Sequence, residues 1–166
     1  MAPSDAQLAE LVRRVTAELA ARAMRVAVAE SCTGGWIAKL LTDLPGSSAW
    51  FGYGFVTYSD AAKHGLLGVS TETLALHGAV STEVAEQMAT GARLASAADM
   101  ALAVSGIAGP GGGRPDKPVG TVCLAWAGPG VALTSTVAHF RGNREAVRRG
   151  SVAVALEGML VRLSAS

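Results

Sequence analysis

The chain has 166 residues, 50% of them hydrophobic and 16% charged, with a formal net charge of +1 and a pI near 7.8; that is enough apolar material for one domain with its own core. The 14 lysines and arginines are dispersed apart from the region 144–149, which excludes the strongly basic footprint of a nucleic-acid-binding protein. Mean hydropathy is positive at +0.35, but no uninterrupted apolar run reaches the roughly 18 to 20 residues that span a bilayer, so a soluble protein is expected.

The first residues read MAPSDAQLAELVRR, with acidic side chains and no apolar signal core, which points to the cytoplasm. Leu8, Leu11, Val12, Val15 and Leu19 recur at helical spacing behind Ser4 and Asp5, which can cap the free amides of a helix start. A short apolar run over 24–29 then predicts a strand. It leads through Glu30, Ser31, Cys32, Thr33, Gly34 and Gly35 into a helical pattern over 36–44. Pro45 and Gly46 interrupt the chain before Ser47 and Ser48, and residues 50–58 are aromatic and β-branched enough for a strand. Ser59 and Asp60 can cap a short helix that Gly68 ends; another spans about 71–77, and Ser81 opens a longer one to about residue 96.

Residues 100–104 read as a further strand, followed by a loop over 105–118 that holds five glycines and three prolines and should contain no regular structure. Strands over about 119–126 and 131–140, joined by Gly128, Pro129 and Gly130, form a hairpin pattern, and Asn143 can cap a last helix to about residue 163. Alternation of strands and helices early with a hairpin late predicts a three-layer α/β/α sandwich around a mixed central sheet. Cys32 and Cys123 are far apart, and His64, His77 and His139 are scattered, so neither a disulfide framework nor a metal site is expected.

Chemistry in such a sheet is expected where strands end at their carboxyl termini. At the Glu30 to Gly35 turn, Ser31 can present a hydroxyl beside the amides of Cys32, Thr33 and Gly34, a setting suited to an oxyanion or a phosphate, although the same residues can simply cap and turn the chain. The glycine loop beginning at Ser105 and Gly106 is long enough to be functional. Lys63 follows Tyr58, Ser59 and Asp60 and falls in the first turn of a helix, whose positive end disfavours an ammonium; burial there would make it a base for a serine. A solvated surface lysine is the plainer alternative.

The blocks AESCTGGWIAKLLTDLPGSSAWFGYGFVTYSDAAKHGLLGV, TLALHGAVSTEVAEQMATGA and VSGIAGPGGGRPDKPVGTV resemble those of the CinA C-terminal-domain family, the nicotinamide-nucleotide amidohydrolases, over about residues 6–163. The resemblance implies hydrolysis of the carboxamide of nicotinamide mononucleotide in pyridine nucleotide recycling, by a Ser/Lys pair without metal or cofactor, in a homodimer. Ser31 and Lys63 match that pair, Tyr58 lies in the same block as the lysine, and Ser48 is a helper or rival nucleophile. The segment FRGNREAVRR resembles the family's approach to its last helix, with Asn143 where an aspartate is usual, and Arg144 is implied as the phosphate ligand. The family's frequent N-terminal domain has no counterpart in these residues, which look like the stand-alone form. Two alternatives are a noncatalytic nucleotide-binding or regulatory module and an amidase using Cys32 with His64.

Overall fold

In the computed structural model, residues 1–129 and 131–164 are described. Gly130 of the expected hairpin turn lies outside them. The chain runs α1 (Asp5–Ala21), β1 (Val26–Glu30), α2 (Trp36–Thr42), a 3-10 turn (Ser47–Ala49), β2 (Phe51–Val56), α3 (Asp60–Leu67), α4 (Thr71–His77), α5 (Thr82–Ser96), β3 (Met100–Gly106), β4 (Thr121–Gly128), β5 (Val131–His139) and α6 (Arg144–Ser164). The sheet has the order β2-β1-β3-β4-β5, parallel from β2 to β3 and antiparallel from β3 to β5. The sheet is therefore mixed and flanked by helices, as the strand and helix order predicts.

The layers follow from side-chain size. Strand residues alternate between faces, and here the alternation also sorts large from small. Val26, Val28, Met100, Leu102, Val104, Val122, Leu124 and Trp126 face one core with α1, α2 and α6. Their neighbours Ala27, Ala29, Ala101, Ala103, Cys123, Ala125 and Ala127 face the other, against Val84, Ala85, Met88, Ala89 and Ala92 of α5. The alanine face lets α5 lie close to the sheet, whereas the branched face needs longer side chains from α1 and α6 to fill the space. A helix cap begins α1: Ser4 Oγ accepts from the Gln7 amide while the Gln7 side chain accepts from the Ser4 amide.

Two expectations about the glycine loop change. β3 continues through Ser105 to Gly106, two residues beyond the apolar run, because β4 pairs with it there. The loop beyond is also tied down: the Ile107 amide donates to Thr121 O, the Gly120 amide to Ile107 O, and Arg114 and Lys117 exchange both backbone bonds. Pairing between segments distant in sequence accounts for the longer strand and for the tie at Ile107, whereas Arg114 and Lys117 close a local turn.

Candidate active site

β1 and β2 are parallel, so their carboxyl ends open on the same side of the sheet, and the chain is locked as it leaves each. The Ser31 amide donates to Val104 O of β3 at 2.9 Å, and the Thr57 amide donates to Glu30 O at 2.9 Å. Ser31 is thereby fixed directly above β1, with Thr57 beside it.

The turn after Ser31 is held from inside. Gly35, at φ 93°, begins α2 and carries no side-chain cap. The carboxylate of Glu30, fully buried, takes that role from below, accepting from the amides of Gly35 and Ile37 at 3.1 Å and Ala38 at 2.9 Å. A negative group at the positive end of a helix, with three amide donors, is a stable arrangement for a buried carboxylate. From above, Arg148 of α6 donates from Nε to Cys32 O at 3.1 Å and from Nη2 to Thr33 O at 2.8 Å, and its guanidinium lies 5.2 Å from the Trp36 ring centre.

Lys63 enters from α3. Ser59 caps that helix by accepting from the Ala62 amide, which places Lys63 in the first turn. Its side chain is 1% exposed and its Nζ lies 3.0 Å from Ser31 Oγ and 2.8 Å from Thr57 O. Burial pushes the Lys63 amine below its ordinary value of 10.5, with Asp60 and Cys32 opposing. Among the described residues no carboxylate forms an ion pair with it. Nζ donates to both oxygens as placed; once deprotonated it would keep its bond to Thr57 O and accept from the Ser31 hydroxyl instead.

Of the turn's amides, Gly34 N–H is already used, donating to Ser31 O at 3.0 Å. The sequence alone put it with Cys32 and Thr33 as a free donor; a turn that closes on itself removes it. Among the described residues the amides of Cys32 and Thr33 meet no oxygen acceptor. The buried hydroxyls of Thr33 and Thr57 also lack a protein partner there. Leaving buried polar groups unpaired costs about 1 to 3 kcal/mol each, and such groups concentrate where a ligand completes them.

The other residues singled out are placed as follows. Tyr58 is 60% exposed; its hydroxyl accepts from Arg144 Nη2 at 2.8 Å, and Arg144 Nη1 donates to Gly109 O at 2.8 Å. Arg144 thus joins the end of β2 to the glycine loop, at the rim of the same side. Asn143 caps α6, accepting from the Ala146 amide at 2.9 Å. Ser105 is 1% exposed and donates to Ala79 O at 2.6 Å, so its hydroxyl is engaged within the fold. Gly106 admits a close approach: a Cβ there would come within 2.6 Å of Val122 and 3.1 Å of Cys32 Sγ.

The structure does not bring Ser48 to the pair. It lies in the 3-10 turn before β2, exposed, with its carbonyl accepting from Arg25, at the amino end of the strands. Cys32 and His64 are not joined either: burial pushes the Cys32 thiol up to about 12, and His64 Nδ1 lies 2.9 Å from Val69 O on an exposed face of α3. Glu30, Arg148 and Thr57 have structural roles at the site that were not assigned from sequence. The acid six positions before the first residue of α2 and the arginine cluster were visible signals, but not their targets. Among the described residues, no three His, Cys, Asp or Glu side chains converge to hold a metal ion, and no helix is long and apolar enough to cross a membrane. A groove of about 700 Å³ between α1 and α2 reaches the turn at Gly34, Gly35 and Arg148 but is not lined by Ser31 or Lys63.

Residues 8–163 match the family described as CinA C-terminal domain. The chain is 52% identical over 157 residues to the nicotinamide-nucleotide amidohydrolase PncC of Escherichia coli K12, covering 93% of each chain. It is 53% identical over 154 residues to the protein of that name from Pseudomonas putida, covering 93% of this chain and 91% of the relative. The crystal structure of the competence/damage inducible protein CihA from Agrobacterium tumefaciens superposes with a TM-score of 0.91 at 45% identity, covering 99% of this chain and 98% of that one.

Proposed function

The chain belongs to the CinA C-terminal domain family, and on that premise we propose that it is an amidohydrolase converting nicotinamide mononucleotide and water to nicotinate mononucleotide and ammonia. Relatives at more than half identity carry the name of that activity. The observation that supports the mechanism most is the buried 3.0 Å contact between Lys63 Nζ and Ser31 Oγ.

Neutral Lys63 takes the Ser31 proton as Oγ bonds to the carboxamide carbon, and the carbonyl oxygen becomes an oxyanion facing the amides of Cys32 and Thr33. Collapse breaks the C–N bond; the leaving nitrogen receives the proton held by Lys63 and departs as ammonia, leaving an ester on Ser31. Water then gives a proton to Lys63 and its oxygen to the ester carbon. The second collapse returns the proton to Ser31 Oγ and releases the carboxylic acid, which gives its proton to ammonia or to solvent. Thr57 O holds the amine in place throughout by accepting one of its N–H groups.

Arg144 supports the assignment of the 5′-phosphate. Its guanidinium is exposed, makes no ion pair among the described residues, and stands beside Tyr58 and Gly109, where a phosphate could replace neutral partners with charge-assisted bonds. The Tyr58 hydroxyl accepts from Arg144 and keeps its own O–H to donate to substrate. A cytoplasmic homodimer completes the proposal. β2 is an edge of the sheet with Tyr53 half-exposed and stacked on Phe55, an open face a second copy would cover; sedimentation velocity checks it.

The deciding experiment is ammonia release from nicotinamide mononucleotide by the purified protein after EDTA treatment. Release of ammonia with nicotinate mononucleotide supports the reading. Binding of the nucleotide without release points to a noncatalytic module, and activity lost to EDTA and restored by one divalent metal contradicts the Ser/Lys mechanism.

A further inference from the structure

Arg148 is a cation whose hydrogen bonds to the site all end on backbone carbonyls. It reaches from α6 across 116 positions of sequence to Cys32 O and across 115 to Thr33 O, with Nε and Nη2 on one edge of the guanidinium gripping two consecutive peptide groups. Only the Gly109-Pro110 bond is cis among the described residues, so the peptides of the turn are trans, and in a trans peptide the C=O and N–H point in opposite directions.

The Cys32–Thr33 peptide, with its carbonyl on Arg148, therefore directs the Thr33 N–H away from α6. The Ser31–Cys32 peptide is set in the same manner by a different donor: Ser31 O accepts from Gly34 N–H, and the Cys32 N–H points the opposite way. These are the two amides of the turn with no oxygen acceptor among the described residues. The second carbonyl held by Arg148, Thr33 O, belongs to the peptide whose N–H is Gly34's, so the same guanidinium fixes the donor that sets the Cys32 amide. Both amides thus depend on one side chain.

We infer that Arg148 is a positioning residue for the oxyanion site: it orients the Cys32 and Thr33 amides and, by pulling electron density toward the carbonyl end of the Cys32–Thr33 peptide, makes the Thr33 N–H a stronger donor to the negative oxygen. Hydrogen bonds in series polarise one another, and a donor fixed before the reaction spends nothing on reorientation when charge appears. The guanidinium lies 5.2 Å from the Trp36 ring centre, and the neighbouring Arg149 is paired with Asp5 and Glu145, which leaves Arg148 to the carbonyls. The inference rests on Ser31 as nucleophile.

The test uses the full-length protein with nicotinamide mononucleotide as substrate, and Arg148→Met and Arg148→Lys as variants. Methionine keeps an apolar stem on Trp36 and removes both donors; lysine keeps the charge and cannot bridge two carbonyls with a planar fork. Arg148→Met should lower kcat on the order of 10- to 100-fold, short of the 100- to 1,000-fold seen when an oxyanion donor itself is removed. KM should stay within about twofold, because the interaction strengthens only in the transition state. Millimolar guanidinium should restore part of the Arg148→Met rate, and Arg148→Lys should fall between it and the wild type. The pH at which kcat/KM rises should be unchanged, since Lys63 is untouched.

A kcat within twofold of wild type in Arg148→Met, or a raised KM at constant kcat, overturns the inference. If Arg148→Met does not fold, by circular dichroism, Arg148→Lys decides alone: a reduced kcat at unchanged KM supports the role and a wild-type kcat ends it. Failure of the underlying reading looks different, as it would show in an active Ser31→Ala variant or in a wild type that releases no ammonia.

Discussion

The two ends of the same parallel strands carry a serine each, and they could hardly be placed more differently. At the carboxyl end Ser31 is buried against a lysine, with a turn clamped by Glu30 and Arg148 around it. At the amino end Ser48 stands in solvent, with only its carbonyl engaged among the described residues. The five residues of β1 separate them by roughly 16 Å at about 3.3 Å per residue. The proposed mechanism needs a serine beside a desolvated base and amides without an oxygen acceptor, and among the described residues that combination stands where the parallel strands end and α-helices begin.

The sharpest way to break this contrast is at the base. Lys63→Arg should lower kcat/KM by about 1,000-fold or more, nearly as far as Lys63→Ala, since a guanidinium stays protonated and has no lone pair to accept the serine proton. The pH profile of the wild type carries the same point. Burial lowers the Lys63 value beneath 10.5, the neutral base predominates above that lowered value, and kcat/KM should climb with pH with the midpoint of its rise below 10.5. A midpoint at or above 10.5 would return Lys63 to the role of an ordinary surface amine.

Next in size is the rim of the carboxyl end. Arg144→Ala should reduce kcat/KM for nicotinamide mononucleotide by tenfold to a thousandfold while sparing the unphosphorylated riboside, because charge-assisted hydrogen bonds contribute roughly 1.5 to 3 kcal/mol each. Equal losses with both substrates would mean that Arg144 acts by holding Tyr58 and Gly109 together.

Glu30→Gln sharpens the comparison from beneath the turn. The amide side chain turns an NH2 toward donors that Glu30 now accepts from, so unfolding free energy should drop by about 2 to 3 kcal/mol, the scale of one or two hydrogen bonds to a charged group. Denaturant titration reads this directly, and an unchanged midpoint would show that α2 needs no cap from the core. Smallest of all, Ser48→Ala should keep kcat within about threefold of wild type, as surface substitutions leave a distant site intact; a dead variant would move the chemistry to the other end of the strands.

Much of this was legible from sequence because it is local. The period of Leu8, Val12, Val15 and Leu19, the caps Ser59 and Ser81, and Asn143 ahead of α6 mark their helices to within a residue or two of where they stand. Lys63 in a helix's first turn was visible for the same reason. What was hidden depends on distant partners. The extension of β3 to Gly106 needs β4, the grip of Arg148 spans more than a hundred residues, and the spent Gly34 amide follows from how the turn closes on Ser31. Two serines in neighbouring blocks look equivalent until topology puts a sheet's length between them.

The central claim is that the Ser31 hydroxyl attacks the carboxamide, and it is tested most directly by ammonia release from saturating nicotinamide mononucleotide in Ser31→Ala, with circular dichroism to confirm the fold. The hydroxyl is small and makes its contact with Lys63 alone among the described side chains, so the variant should fold and bind the nucleotide, yet release ammonia no faster than about one part in a thousand of wild type. A folded Ser31→Ala variant that turns over at close to the wild-type rate would contradict the account.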